Sequence, residues 1–212
     1  MRNLICAHMP YVLLLSLVTA ACSSDEVDSD EEARRAYLAL DGSIDKSLNL
    51  GFTGYNLATS ANIDAQMTTG TKAGTLTVDG QVDKGASDNK GMRLYIAMVG
   101  YDDGDVVYND DGDTVHVVFD TSVDMTAQPY LDLHLMNVPT GTMDGTLGAN
   151  TAMTGVYQLS GDIEGSLTIE VTITANLMAG TGTDVLRVPG STHILGTATN
   201  SDGGVYDIDV TR

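Results

Sequence analysis

The sequence predicts a mainly β protein: an antiparallel meander of about 8–10 strands that closes as a barrel or folds over as a sandwich, preceded by one N-terminal helix. Three observations carry this. From Gly74 onward the apolar residues recur at period two. Gly, Asp and Asn punctuate the apolar runs, and they do so as turn residues that tolerate unusual backbone angles. No helical pattern separates the runs, and strands in series without crossover helices pair antiparallel.

The helix is expected roughly from Asp30 to Leu48, with its apolar periodicity over 33–48. Tyr37, Leu40, Ile44 and Leu48 recur at spacings of three and four and form one face. Acidic residues at its start suit the positive end of the helix dipole. Gly51 and Gly54 are expected to end it, and Asn56–Ala65 reads as a second short helical piece.

The β region is expected over about 74–212, and its clearest strand is Ser166–Leu177. Leu167, Ile169, Val171, Ile173, Ala175 and Leu177 face one way; Ser166, Thr168, Glu170, Thr172, Thr174 and Asn176 face the other. Such alternation means one buried face and one wet face. Shorter runs of the same kind are Thr75–Asp83, Met92–Tyr101, Val106–Tyr108, Thr114–Asp120, Tyr130–Val138, Val156–Ile163, Val185–Val188, Thr192–Thr199 and Val205–Thr211. Asp102-Asp103-Gly104 and Asn109-Asp110-Asp111-Gly112 read as turns. Gly74–Asp79 matches Gly165–Glu170 position by position, a similarity short enough for chance.

The front of the chain has a different character. Arg2 is followed by an apolar run, Tyr11–Val18, and then by small residues, Thr19-Ala20-Ala21, before Cys22. This is the charged, apolar, small-residue order of a secretory signal. Val18-Thr19-Ala20-Ala21-Cys22 resembles the lipobox of bacterial lipoproteins, with Thr19 where Leu is usual. The resemblance covers only the first 22 or so residues. It implies cleavage after residue 21 and covalent diacylglycerol and N-acyl lipid on Cys22. Ser23 in the position after the cysteine would then imply the outer membrane. The expected division is a signal peptide over 1–21, a lipidated acidic tether over 22–32 and a single domain over 33–212. In its Gly, Thr and Asp content the domain resembles small acidic envelope lipoproteins, a likeness that implies no activity.

The chain has two cysteines, and with Cys6 removed and Cys22 lipidated no internal disulfide remains. The net charge is −19, and loss of Arg2 with the signal makes the remainder one unit more acidic. That field repels phosphate backbones and excludes nucleic acid as a partner. The membrane is expected as a partner through the lipid alone, with an envelope protein, a glycan or a small apolar ligand as the partners left open.

Candidate chemistry is sparse. Asp102, Asp103, Asp105, Asp110, Asp111 and Asp113 flank Val106–Tyr108 and are weak calcium candidates, since calcium takes six to eight converging oxygens. Their spacing fits neither an EF-hand nor a nonapeptide calcium repeat. Two solvated turns are the plainer reading, and no metal or other cofactor is expected. His116, His134 and His193 lie on three separate strands and would bind zinc only by converging in space. Ser191 and His193 lie along one strand, the wrong geometry for a triad, and Glu164 and Glu170 are the only glutamates of the β region. Tyr95, Tyr101, Tyr108, Tyr130, Tyr157 and Tyr206 lie in or beside strands, where a row could stack on sugars or line a cavity. The leading expectation is a lipid-anchored, non-enzymatic binding or structural module of the cell envelope, periplasmic or surface-facing. The alternatives are a lipocalin-like barrel carrying a small apolar ligand and an envelope hydrolase.

Overall fold

The computed structural model describes residues 26–149 and 155–212. The fold is mainly β with one N-terminal helix, as the alternation requires. The helix, α1, spans Asp30–Leu57. The strands are β1 (Asn62–Thr69), β2 (Ala73–Val82), β3 (Lys90–Asp102), β4 (Val106–Val107), β5 (Thr114–Val115), β6 (Val117–Thr121), β7 (Tyr130–Met136), β8 (Thr142–Gly148), β9 (Val156–Gly161), β10 (Gly165–Ala179), β11 (Val185–Arg187), β12 (His193–Asn200) and β13 (Val205–Thr211).

All named strand pairs are antiparallel. β3 pairs with β2 along one edge; along the other, Lys90–Tyr95 meet β7 and Tyr101 meets β6. β6 and β7 therefore lie end to end as one interrupted strand, with residues 122–129 looping out between them. β8 and β9 repeat the arrangement, because β10 meets β9 over Gly165–Thr168 and β8 over Val171–Asn176. Since β7 pairs with β8 and β6 with β9, the pairing closes a ring of six strands around the two interruptions. Counted by position, the sheet is a meander running from β1 at one edge to β13 at the other.

The apolar face of this sheet wraps α1. One flank of the helix packs on β1 and β2, the other on β11 and β13. Among the described residues the edge strands β1 and β13 do not pair with each other; the helix lies across the opening between them. Tyr37, Leu40, Ile44 and Leu48 are fully buried and share one core cluster with Leu94, Ile96, Ile173 and Ile194. Each such side chain contributes about 1.5–3 kcal/mol by leaving water. No disulfide is needed for a core of this size.

The helix begins where a capping motif fixes it. Ser29 Oγ accepts from Glu32 N at 3.3 Å, and Glu32 Oε2 accepts from Asp28 N at 2.9 Å. Val27 is buried and its carbonyl accepts from Asn200 Nδ2. Residues 26–32 of the expected tether thus belong to the folded domain. Residues 1–25, with the expected signal, Cys22 and the rest of the expected tether, lie outside the described residues.

The helix does not end at Gly51 or Gly54. Both are buried within it, and their missing side chains let the helix approach the sheet. A Cβ on Gly51 would lie 3.0 Å from Met92 Sδ, and one on Gly54 2.9 Å from Ile63. The second helical piece over Asn56–Ala65 is likewise corrected. The end of α1 and the start of strand β1 occupy that stretch, and β1 lacks alternation because Ile63 is its only buried side chain. β8 is a strand the periodicity missed, since Gly145 holds an inward position opposite Leu133 and Ile173. The run Thr114–Asp120 breaks at His116 into β5 and β6.

In the strand Ser166–Leu177 all six apolar residues are buried and the opposite row is half-buried or exposed. The two similar segments open β2 and β10 alike: Gly74 and Gly165 have positive φ, and Leu76, Val78, Leu167 and Ile169 are buried.

Candidate functional site

The middle of α1 carries charge on a face that is otherwise core. Asp41 and Asp45 lie one turn apart, and the strand position of β11 delivers Arg187 onto both. Arg187 Nε donates to Asp45 Oδ1 at 2.7 Å, Nη1 to Asp41 Oδ1 at 2.9 Å, and Nη2 to Asp41 Oδ2 at 3.0 Å. Tyr37 OH, one turn earlier and fully buried, donates to Asp41 Oδ1 at 3.1 Å. The Arg187 side chain is 6% exposed and that of Asp41 8%. Burial disfavours the guanidinium cation, but the bonds from the two aspartates outweigh it and hold Arg187 firmly protonated. Burial, reinforced by the Asp41 charge, pushes the Tyr37 phenol well up.

A second charged cluster stands across the helix. Asp103, just past the end of β3, accepts from Lys46 Nζ and from Tyr101 OH. It also accepts from Thr71 N at 2.8 Å and Thr71 Oγ1 at 2.9 Å. Burial works against the Asp103 charge, yet the bonds from Lys46, Tyr101 and Thr71 prevail and hold its carboxyl below the usual range. Between the two clusters lies a cleft of about 520 Å³ with the exposed Gly42 in its floor and Val106, Val188 and Pro189 in its walls. A helical glycine here keeps the floor open. The chemistry on offer is limited, because both carboxylate clusters are already matched to cations and donors.

The calcium candidates do not converge. Asp102 Oδ1 accepts from Gly104 N at 2.7 Å and lies 3.0 Å from His116 Nε2, while Asp103 belongs to the Lys46 cluster. Asp113 closes a turn with Asn109, and Asp105, Asp110 and Asp111 are exposed. Among the described residues no three His, Cys, Asp or Glu side chains come together as a metal site. His134 is exposed, with Nδ1 3.2 Å from Asp144, and His193 is exposed. Ser191 Oγ donates to Val188 O at 2.7 Å. Glu164 bridges to Glu26 and Glu170 points outward.

The tyrosines do not form one row. Tyr101 and Tyr157 are core residues. Tyr108 lies under Arg35, whose guanidinium is 5.0 Å from the ring centroid, and Tyr206 is half-buried. Tyr95 and Tyr130 pair on the outer face with centroids 5.3 Å apart. Asp41, Asp45 and Arg187 are not among the candidates that the sequence pattern singles out. The available signal was the Tyr37–Asp41–Asp45 spacing of four, which sets two acids on the apolar stripe of the helix. No protein-family model, curated protein or solved structure matches this chain.

Proposed function

We propose that this chain is a lipid-anchored lipoprotein of the outer membrane, a non-enzymatic binding or structural module held by acyl chains on Cys22. The observation that carries the non-enzymatic, non-carrier part is the filled interior. The space a lipocalin-like carrier would keep for its ligand is taken by α1, through Tyr37, Leu40, Ile44 and Leu48. In the cleft beside α1 the paired state of Asp41, Asp45 and Asp103 supports the same reading, since a general base needs an uncommitted lone pair aimed at substrate.

The anchor rests on the order Arg2, Tyr11–Val18, Thr19-Ala20-Ala21, Cys22. The length of chain beyond it supports a close attachment. Glu26, which bridges to Glu164, is four residues from Cys22, and four residues reach at most about 14 Å. The β9–β10 turn at Glu164 would therefore sit near the head groups, with the rest of the domain projecting away. Among the described residues no helix is long and apolar enough to cross a membrane, and lipid on a cysteine would supply the attachment.

Metabolic labelling with a palmitate analogue tests this. The wild-type chain should take up label and fractionate with membranes, and Cys22→Ala should do neither. Label persisting on Cys22→Ala would refute the anchor.

A further inference from the structure

The outer face of the sheet should be plain, because its side chains face water. Clefts nevertheless interrupt it, one lined by Asp132, His134, Asp144 and Thr172 and another by a pair of tyrosines. β1 is bulged between Ile63 and Gln66, so Asp64 and Ala65 together oppose Asp79 on β2. On the other side, the excursion between β6 and β7 carries the turn Met125–Ala127. Bulge and excursion form two walls, and between them lies an outer-face cleft of about 450 Å³.

Its floor is set by register. Asp79 lies opposite Tyr95, and Tyr95 opposite Tyr130. The adjacent row is Asn62, Gln81 and Arg93. The inward neighbours Leu94 and Ile96 are fully buried, so Arg93 and Tyr95 point out into the cleft. The rings of Tyr95 and Tyr130 touch at 5.3 Å and 57°, and Met125, 45% exposed, lies at the rim. Asp79 Oδ1 is screened from solvent and has no hydrogen-bond partner. A screened acceptor without a donor is destabilising, and burial pushes the Asp79 carboxyl up.

We propose that this cleft binds a neutral saccharide, the C–H face of one sugar ring stacking on Tyr95 and Tyr130 and its hydroxyls donating to Asp79. A sugar presents an apolar face and a rim of hydroxyls that both donate and accept. The cleft offers the matching set: an aromatic platform, the accessible edge of the half-buried Asp79 carboxylate, and the amides of Asn62 and Gln81, which bond each other at 2.9 Å. Arg93 is engaged by Asp83 at 2.8 Å and by Gln81 at 3.4 Å, which fixes the amide row in place. A quaternary ammonium ligand fits less well. The two rings pack against each other and leave no gap for a cation between them, and Arg93 stands beside them. Acidic sugars meet Asp64, Asp79 and a chain of charge −19 and are excluded by repulsion.

The test uses the full chain extracted in a detergent without sugar head groups. Three probes are titrated: a glucose oligosaccharide, an N-acetylglucosamine oligosaccharide and polygalacturonate. The first two distinguish a polysaccharide outside the cell from amino-sugar glycans of the envelope. Tyrosine emission reports binding, and the absence of Trp leaves it unobscured. Saturable binding of at least one neutral probe is expected, weakened tenfold or more in Tyr95→Leu and Tyr130→Leu. Saturation-transfer spectra of the probe read these variants independently of their own emission. Asp79→Asn, which keeps shape and fold, should also weaken it, while Glu170→Gln on the outer face elsewhere should not. No saturation by either neutral probe up to about 10 mM, binding of polygalacturonate alone, or full affinity in Asp79→Asn would each overturn the proposal. Cys22→Ala should bind as the wild type does, so failure of the lipid anchor leaves this inference standing.

Discussion

Arg187 is the cation paired with both Asp41 and Asp45, and its removal separates a buried network from its counter-charge. The side chains of Arg187 and Asp41 are 6% and 8% exposed, whereas Asp45 is 37% exposed. Arg187→Ala would strand Asp41 in the core with a like charge one turn away, so its cost should lie near the upper end of the 3–5 kcal/mol typical of broken buried pairs, about 5 kcal/mol. Asp41→Ala leaves the guanidinium with Asp45 and should cost about 3 kcal/mol. In the double variant neither charge is stranded, and the loss should fall short of the sum by about 2 kcal/mol or more. Urea melts read all three. With a slope of about 2 kcal/mol per molar, Arg187→Ala should move the midpoint down by about 2.5 M. Additive losses, or a loss under about 1 kcal/mol for Arg187→Ala, would refute the idea that this network ties β11 to the helix.

Three further expectations follow from packing and charge. Ile169→Asp and Ile173→Asp should each cost several kcal/mol by placing an unpaired carboxylate in the core, whereas Thr168→Asp and Thr172→Asp on the wet row should cost roughly 1 kcal/mol or less; equal damage in urea melts would contradict the one-sided strand. Gly42→Ala should raise the melting temperature, since helix propensity gains up to about 1 kcal/mol and the new Cβ meets only Asp103 Oδ2 at 3.4 Å. Gly54→Ala should lower it, because the same gain is outweighed by about 1–3 kcal/mol of overpacking against Ile63 at 2.9 Å. The Asp103 carboxyl is held below its ordinary value of 3.8, so its contribution is complete above that pH and is lost as pH falls through the folded value. The melting difference between wild type and Asp103→Asn should therefore be largest near neutrality and shrink in acid; a difference that grows in acid would show the opposite sign.

The architecture was legible where burial is one-sided. Ser166–Leu177 alternates because β10 sits mid-sheet with its inner face on the core and its outer face in water. The errors fall where tertiary contact reverses a local preference. Gly51 and Gly54 read as helix ends from their propensity, yet the sheet needs their missing side chains for close approach at Met92 and Ile63. β1 is an edge strand held by Ile63 alone, so it carries no periodic signal. At Gly145 an inward position is filled by no side chain at all, and the alternation of β8 fades there.

The charged clusters were illegible for a different reason. Period and propensity place a residue on a face, and Asp41 on the apolar stripe of a helix reads as an interruption until its partner is known. That partner, Arg187, lies 146 residues away in sequence, on a strand of three residues whose own pattern gives no reason for an arginine to be buried.

The same division bears on where recognition can reside. In a sheet wrapped around its own helix the interior is committed to packing, so the proposed saccharide site would depend on departures of the outer face. The excursion 122–129 buries only Gln128 and Pro129, while Val123 is 94% exposed and Met125 45%. It adds almost nothing to the core, and looping out eight residues costs little beyond a slowly growing closure term. The bulge at Asp64 and Ala65 likewise buries neither residue and interrupts the ladder beside Asp79. Neither departure is explained by stability. Both flank a cleft where two outward tyrosines stand beside the half-buried carboxylate of Asp79, and a ligand with hydroxyls and an apolar face suits both kinds of group.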